Sequence, residues 1–291
     1  MAYQKVLVPL DGSELAERAI PYAKAIAKSE GSEVILFTVS TNSERLDRPM
    51  KVYLDVNTKE LESQKIKASA AIAYGNVAEE VIKFAEKHKT DLIIISTHGY
   101  SGIKRWMLGS VAEKILYGTC TPVLLIKSRA HKTSEVKFKK VLAALDGSAF
   151  AETSIPYARE LTKGTGGEVI LLRIGEPPTL PADRSPAIKP SWEEYRDMLM
   201  AEIKQQALEY LEKVKANFKT VPVRVQVVMG QAADSILQVA QKEKVDLIAM
   251  TTHGRTGVSR WVYGSVATRI VGESLQPILL IRPSVPKEPK T

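Results

Sequence analysis

The sequence predicts an α/β fold of two tandem doubly wound domains, each a five-stranded parallel sheet of order 3-2-1-4-5 with helices on both faces. Short apolar runs typical of buried strands alternate with helical segments, which is the pattern of a parallel sheet. The alternation occurs twice, because KVLAALDGS at residues 140–148 repeats KVLVPLDGS at residues 5–13. A chain of 291 residues is long enough for two domains that each bury a core.

The elements of the first copy follow from its apolar pattern. Strands are predicted at residues 5–10, 33–39, 67–75, from Asp91 onward, and at 122–127. After the first strand, a helix should run to about Lys28 with a kink at Pro21. A capping box at Asn76 and Glu79 predicts a helix to about Lys89. Between the second and third strands, residues 45–64 are short and contain β-branched residues, so a reduced or irregular element is expected there.

The second copy contains an insertion. Its residues match the first copy at an offset of 135 up to the second strand and at an offset of 155 from Gly230 onward, which leaves 20 extra residues. Residues 175–190 of this region contain five prolines and cannot form regular structure. Ser191 should then cap a helix whose apolar stripe comprises Tyr195, Leu199, Ile203, Tyr210 and Val214.

These patterns divide the chain into a first domain (1–128), a basic linker (129–139), a second domain (140–283) and a tail (284–291). Half of the net charge of +8 lies in residues 129–140, which carry five Lys or Arg and one Glu. Because the two domains are close to neutral, the charge distribution argues against a nucleic-acid-binding face.

Composition excludes several other classes of protein. No run of about 20 apolar residues is present, and the N-terminus enters a strand without a leader, so a cytoplasmic location without membrane contact is expected. The single cysteine, Cys120, excludes an internal disulfide framework and a cysteine-based zinc site.

A glycine-rich loop joins the fourth strand to the next helix in each copy. Its glycines are Gly99, Gly102 and Gly109 in the first copy and Gly254, Gly257 and Gly264 in the second. Glycine allows the backbone to approach a ligand closely, and a helix N-terminus offers free amide donors and partial positive charge to an anion. The loops therefore predict phosphate sites before Ser110 and Ser265, although a tight strand-to-helix connection would also require glycine.

The predicted strand order brings a carboxylate to each loop. In an open parallel sheet, ligands bind beyond the carboxyl ends of strands where the winding reverses, which here lies between the first and fourth strands. Asp11 and Asp146 follow the first strand of their copies, so each should face the phosphate loop across one crevice. Either aspartate could instead be a simple N-cap of the following helix.

At these residues the chain resembles the universal stress proteins in their tandem, two-domain form, a Rossmann-like family. The nucleotide-binding branch of that family carries Gly-x2-Gly-x9-Gly-Ser/Thr. Both copies match its last three positions, at Gly99, Gly109 and Ser110 and at Gly254, Gly264 and Ser265, whereas Ser96 and Thr251 replace the first glycine. That replacement leaves open whether the pockets are functional or vestigial.

The resemblance implies a binding site for ATP or AMP, with Mg²⁺ or Mn²⁺ as a possible companion. Asp11 and Asp146 would lie by the adenosine or the metal, and Val39 and Ile174 would hold adenine through backbone contacts. The phosphates would lie on Gly109, Ser110 and Val111 or on Gly264, Ser265 and Val266. The complete predicted site comprises Pro9, Leu10, Asp11, Val39, Ser96, His98, Gly99, Gly109, Ser110, Val111, Ala144, Leu145, Asp146, Ile174, Thr251, His253, Gly254, Gly264, Ser265 and Val266.

The strands that end the two copies, PVLLIK and PILLIR, would be exposed edges that template aggregation unless they are paired. Pairing with each other would form a pseudo-twofold dimer within one chain, as the resemblance also implies, and a homodimer of chains is a further option.

The sequence favours a nucleotide-binding regulatory protein of the stress response without significant turnover, because it contains none of the common catalytic motifs of kinases, P-loop enzymes, metalloproteases or hydrolases. His98 and His253 are accordingly interpreted as packing or hydrogen-bonding residues. A slow metal-dependent ATPase and an interaction module with vestigial pockets are the alternatives.

Overall fold

The computed structural model describes residues 3–40, 47–97, 108–127, 135–178, 189–252 and 264–282. The first copy forms five parallel strands in the order β3-β2-β1-β4-β5, which confirms the predicted topology. In chain order its elements are β1 (Lys5–Pro9), α1 (Glu14–Glu17), α2 (Ile20–Glu30), β2 (Glu33–Ser40), α3 (Arg48–Ser63), β3 (Ala68–Tyr74), α4 (Val77–His88), β4 (Leu92–Ser96), α5 (Ser110–Gly118) and β5 (Val123–Ile126).

The second copy repeats this arrangement, with parallel strands in the order β8-β7-β6-β9-β10. Its elements are β6 (Lys140–Leu145), α6 (Ala149–Glu152), α7 (Ile155–Lys163), β7 (Glu168–Gly175), α8 (Lys189–Lys215), β8 (Val223–Met229), α9 (Ala232–Lys242), β9 (Leu247–Thr251), α10 (Ser265–Glu273) and β10 (Ile278–Ile281).

The two sheets join edge to edge. Strand β5 pairs antiparallel with β10, with Leu124 opposite Leu279, so the ten strands form one continuous sheet. The expected intramolecular pairing of the two terminal strands is therefore confirmed. No helix among the described residues is long and apolar enough to cross a membrane.

Two hydrophobic layers cover the sheet, because successive strand residues point to opposite faces. In β1, Val6 and Val8 belong to the layer that also contains α2, α3, α7 and α8, whereas Leu7 belongs to the layer of α4, α5, α9 and α10. Both layers extend across the two copies, so each copy helps to bury the core of the other.

The predicted first helix is broken into two. Helix α1 ends at Glu17 and α2 begins at Ile20, with Pro21 in its first turn, and α7 begins in the same way with Pro156. Proline is tolerated only in the first turn of a helix, because it lacks a backbone donor and its ring clashes with the preceding turn. The expectation of one kinked helix was therefore wrong.

The region between β2 and β3 was also predicted incorrectly. It forms α3, a regular helix of 16 residues that buries Leu54 and Leu61 against the sheet while Val52 and Val56 remain exposed. Burial of this apolar stripe outweighs the weak helix preference of the two valines.

The long helix of the second copy is present, but its start and its packing differ from the prediction. Helix α8 begins at Lys189, so Ser191 lies inside the first turn rather than at the N-cap. Val214 is buried as expected, together with Ala207 and Leu211, whereas Tyr195 is 45% exposed.

The last residues of the predicted linker are packed rather than free. The Phe138 side chain is buried against Tyr22 of the first copy, with ring centroids 6.3 Å apart. Its carbonyl accepts a hydrogen bond of 2.8 Å from Thr165 of the second copy.

Basic residues cross the junction in both directions. The Lys127 ammonium, after β5, donates to the carbonyl of Val271 in the last turn of α10, and Arg282, after β10, donates to Tyr117 in the last turn of α5. Each cation satisfies a free carbonyl at the negative end of a helix in the other copy. Burial lowers the pKa of Lys127 to about 8, whereas arginine stays protonated in proteins.

This pKa predicts how stability depends on pH. Between about pH 8 and 10.5 the unfolded chain binds more protons than the folded one, so stability rises with pH. From pH 7 to 10, the wild-type protein should gain about 2 kcal/mol in unfolding free energy relative to Lys127→Met. Denaturant unfolding at both pH values measures the difference. As a control, the difference in unfolding free energy between Arg282→Met and the wild type should be the same at both pH values. If the difference between Lys127→Met and the wild type were also the same at both, the lowered pKa of Lys127 would be contradicted.

Candidate functional site

The predicted crevice lies where the winding of each sheet reverses, beyond the carboxyl ends of β1 and β4 and of β6 and β9. In the second copy it is a cleft of about 530 Å³. Its walls include eight of the predicted site residues, namely Ala144, Leu145, Asp146, Ile174, Thr251, Gly264, Ser265 and Val266. The structure therefore brings together the carboxylate, the strand ends and the helix N-terminus that the sequence placed at one site.

The two aspartates hold identical turns. The Oδ1 atom of Asp11 accepts hydrogen bonds from the amide of Ser13 at 3.0 Å and from its hydroxyl at 2.5 Å. Asp146 accepts the same two bonds from Ser148 at 2.9 and 2.6 Å. Each serine in turn caps the following helix by accepting from the amide of Ala16 or Ala151. The aspartates are therefore not the N-caps themselves. They orient the capping serine.

Helices α5 and α10 present their N-termini to the crevice side of the sheet. Gly109 and Gly264 are their N-cap residues, and neither helix has a side-chain cap. The glycine amides donate to the carbonyls of Thr97 and Thr252 at 2.9 and 3.0 Å, which anchors each helix start to the end of a central strand. The following amides of the first turn lack intrahelical partners, so they can bind an anion.

Gly264 leaves this helix start open. A β-carbon added there would meet one described atom within 4 Å, the Thr252 carbonyl oxygen at 3.5 Å. Its φ of −59° is one that any residue can adopt, so the backbone conformation does not require glycine here. What glycine provides is room beside the helix start.

The remaining predicted residues of the first copy occupy matching places. Pro9 ends β1, and Leu10 is buried, with its amide donating to Phe37 at 2.8 Å. Val39 packs against the core from β2. Ser110 and Val111 begin α5. The predicted residues His98, Gly99, His253 and Gly254 lie outside the described residues, as do Gly102 and Gly257.

Ser96 ends β4 at the position that corresponds to Thr251 of the second cleft. Its side chain is 8% exposed, and its hydroxyl oxygen has no hydrogen-bond partner among the described residues. A buried hydroxyl without a partner costs free energy, so this position is suited to a polar ligand or water.

The cleft also contains residues that were not predicted, among them Arg173, Glu176, Ile203 and Gln206. Ile203 and Gln206 come from α8, and the predicted apolar stripe of that helix already contained Ile203. Comparison of the two copies could have pointed to Arg173. The first copy has EVILFTV where the second has EVILLRI, so arginine stands at the position of Thr38.

Each copy carries a tyrosine on the helix after its second strand, Tyr53 in α3 and Tyr210 in α8. Burial, followed by the neighbouring Glu17 carboxylate, raises the pKa of Tyr53, and burial with Glu152 does the same for Tyr210. Both side chains therefore remain neutral phenols at physiological pH.

The described side chains do not form a complete metal-binding site. Among the described residues, no group of three or more His, Cys, Asp or Glu side chains could hold a metal ion. Asp11 and Asp146 can each supply one carboxylate, which fits Mg²⁺ only if phosphate oxygens and water complete its coordination.

Comparison with known proteins identifies the family. Residues 2–127 and 137–282 each match the model of the universal stress protein family. The chain therefore belongs to this family and carries two copies of its domain.

Relatives agree with this assignment. Two universal stress proteins of Methanocaldococcus jannaschii are similar to it, one 33% identical over 140 residues (43% of this chain and 82% of the relative) and the other 30% identical over 156 residues (44% and 96%). Among solved structures, a universal stress protein of Archaeoglobus fulgidus covers 97% of this chain and 99% of its own, with 21% identity and a TM-score of 0.70. A Pseudomonas aeruginosa protein of unknown function covers 97% and 93%, with 19% identity and a TM-score of 0.73.

Proposed function

We propose that both copies bind an adenine nucleotide, ATP or AMP, and that the bound nucleotide regulates a response to stress rather than being turned over. The observation that carries this proposal is the second cleft, which joins Asp146, the end of β7 and the open N-terminus of α10. Its volume of about 530 Å³ falls within the range of small-molecule sites, roughly 300–1,000 Å³.

The phosphates fit the α10 end of the cleft. The free amides of the first turn, from Ser265 onward, and the positive end of the helix dipole both favour an anion. No acidic side chain lies in that turn to oppose it. Gly264 leaves room for phosphate to approach the backbone, because among the described residues a β-carbon there would meet only the Thr252 carbonyl oxygen within 4 Å.

The nucleoside fits the opposite end. Leu172 and Met250 supply apolar wall, and Ile174 and Gly175 present backbone groups at the end of β7. Gln206 and Glu176 add polar groups at the rim. Apolar walls with a few convergent polar groups are typical of sites that hold an aromatic base.

The first copy supports the same proposal with fewer observations. Asp11 reproduces the turn of the second copy, and Gly109 and Ser110 reproduce its glycine-capped helix start, except that α5 carries Glu113 in its first turn. The hydroxyl of Ser96, which lacks a partner among the described residues, would gain one from a bound ligand. A divalent cation, if bound with the nucleotide, would be held by Asp11 or Asp146 together with phosphate oxygens.

The first prediction concerns binding itself. For protein freed of nucleotide, ATP or AMP at about 100 times its dissociation constant should stabilise the folded state by about 2.7 kcal/mol per site, which raises the melting temperature by several degrees. Thermal unfolding with millimolar nucleotide tests it. Melting curves that do not move with either nucleotide would favour the interaction module with vestigial pockets.

A second prediction ranks the clefts. We expect the second to bind more tightly, because Ile203 and Gln206 of the longer helix α8 help to enclose it and Glu176, which follows β7, also lines it. Gly264→Val should therefore reduce nucleotide affinity more than Gly109→Val in calorimetric titration. The two variants are matched, since both glycines are N-caps with φ near −60°. Equal losses, or a larger loss from Gly109→Val, would show that the second cleft is not dominant.

Turnover provides the third prediction. Enzymes typically work at about 10 s⁻¹, and the purified protein should hydrolyse ATP far below about 1 s⁻¹. Phosphate release measured for the wild type and for Asp146→Ala tests this. A rate of about 1 s⁻¹ or more that disappears in the variant would establish the ATPase alternative.

A further inference from the structure

The two crevices differ by one charged residue at equivalent positions. Thr38 in β2 corresponds to Arg173 in β7. Thr38 is buried, and its hydroxyl donates to the Leu10 carbonyl at 2.8 Å. Arg173 instead lines the second cleft. The repeat thus provides an internal comparison, because the aspartate turns beside these residues have the same geometry.

Contacts on two sides fix the Arg173 guanidinium. Its carbon lies 4.9 Å from the ring centroid of Tyr210 in α8, a cation–π distance. On the other side, a β-carbon added to Gly147 would lie 3.1–3.2 Å from the guanidinium atoms. The missing side chain at Gly147, whose φ is +88°, therefore makes room for the cation over the turn that follows Asp146.

In the first copy, the described residues place no cation over the equivalent turn. A β-carbon on Gly12 would meet one described atom within 4 Å, the Cε of Met50 at 3.6 Å. Asp11 accepts hydrogen bonds from the amide and hydroxyl of Ser13, as Asp146 does from Ser148. Thr38, which stands where the second copy has Arg173, supplies no positive charge beside this turn.

A fixed guanidinium changes what the second cleft can bind. It places a positive charge over the turn that follows Asp146, which weakens the attraction of this part of the cleft for a divalent cation. It also supplies positive charge of its own, and guanidinium groups are strong partners of phosphate and carboxylate. In the first crevice the neutral Thr38 replaces this arginine, so the negative charge of Asp11 opposes a free phosphate anion and favours one that is complexed with a cation.

We propose that Arg173 takes the place of a divalent cation, so that the second cleft binds its nucleotide as the metal-free anion whereas the first requires the Mg²⁺ complex. This inference rests on the nucleotide binding proposed above for both clefts. In it, Arg173 determines whether a cleft binds the metal-free nucleotide or its Mg²⁺ complex.

Calorimetric titration of the full chain with ATP, in EDTA or in excess Mg²⁺, tests the assignment. The wild-type protein should bind one ATP per chain in EDTA and two in Mg²⁺, and Gly264→Val should abolish the site that remains in EDTA. Arg173→Thr, which installs the residue of the first copy, should lose at least tenfold in affinity at that site in EDTA and recover to within threefold of the wild type in Mg²⁺.

Arg173→Met separates charge from packing, because methionine keeps an unbranched side chain against Tyr210 without the cation. It should behave as Arg173→Thr does. Wild-type affinity of either variant in EDTA, equal losses with and without Mg²⁺, or two wild-type sites in EDTA would each overturn the proposal. Absence of binding in both conditions would instead remove the nucleotide function on which it rests, so the two failures are distinguishable.

Discussion

The antiparallel pairing of β5 with β10 is the interaction on which the rest of the molecule depends. Each five-stranded sheet ends in a short, fully buried apolar strand. If it were left unpaired in water, such an edge strand would promote aggregation. By pairing with each other, the two strands form one ten-stranded sheet and two hydrophobic layers that both copies share. Since both strands are paired within the chain, a homodimer of chains would have to use another surface.

The same junction sets the position of the two crevices. Strands β4 and β9, which lead to the glycine-rich segments, lie directly beside β5 and β10, and Lys127 and Arg282 tie the ends of the following helices to the opposite copy. The helix starts at Gly109 and Gly264 are therefore held on a rigid frame. A site built on strand ends and helix termini needs little reorganisation to receive an anion, which suits binding and sensing.

Much of this architecture could be predicted from the sequence, because most elements occur in both copies and each copy supports the prediction made from the other. The junction followed from the apolar edge strands, and the placing of Asp146 beside the helix start at Gly264 followed from the rule that ligands bind beyond the carboxyl ends of parallel strands. Ile174 was predicted from the family resemblance alone. Helix α3 could not be predicted, because burial of Leu54 and Leu61 decided it rather than local preference. Arg173 was missed for a related reason, since only the fold shows that the space over Gly147 admits its guanidinium.

The central claim is that the crevices are nucleotide sites, and the most direct measurement is the content of the protein as purified. After denaturation, mass spectrometry of the released small molecules, together with the ratio of absorbance at 260 and 280 nm before denaturation, reports any bound nucleotide. The account predicts an adenine nucleotide in the wild-type preparation and much less of it in a protein that carries both Gly109→Val and Gly264→Val. A wild-type preparation that carries none, and that also fails to retain added ATP through gel filtration, would contradict it.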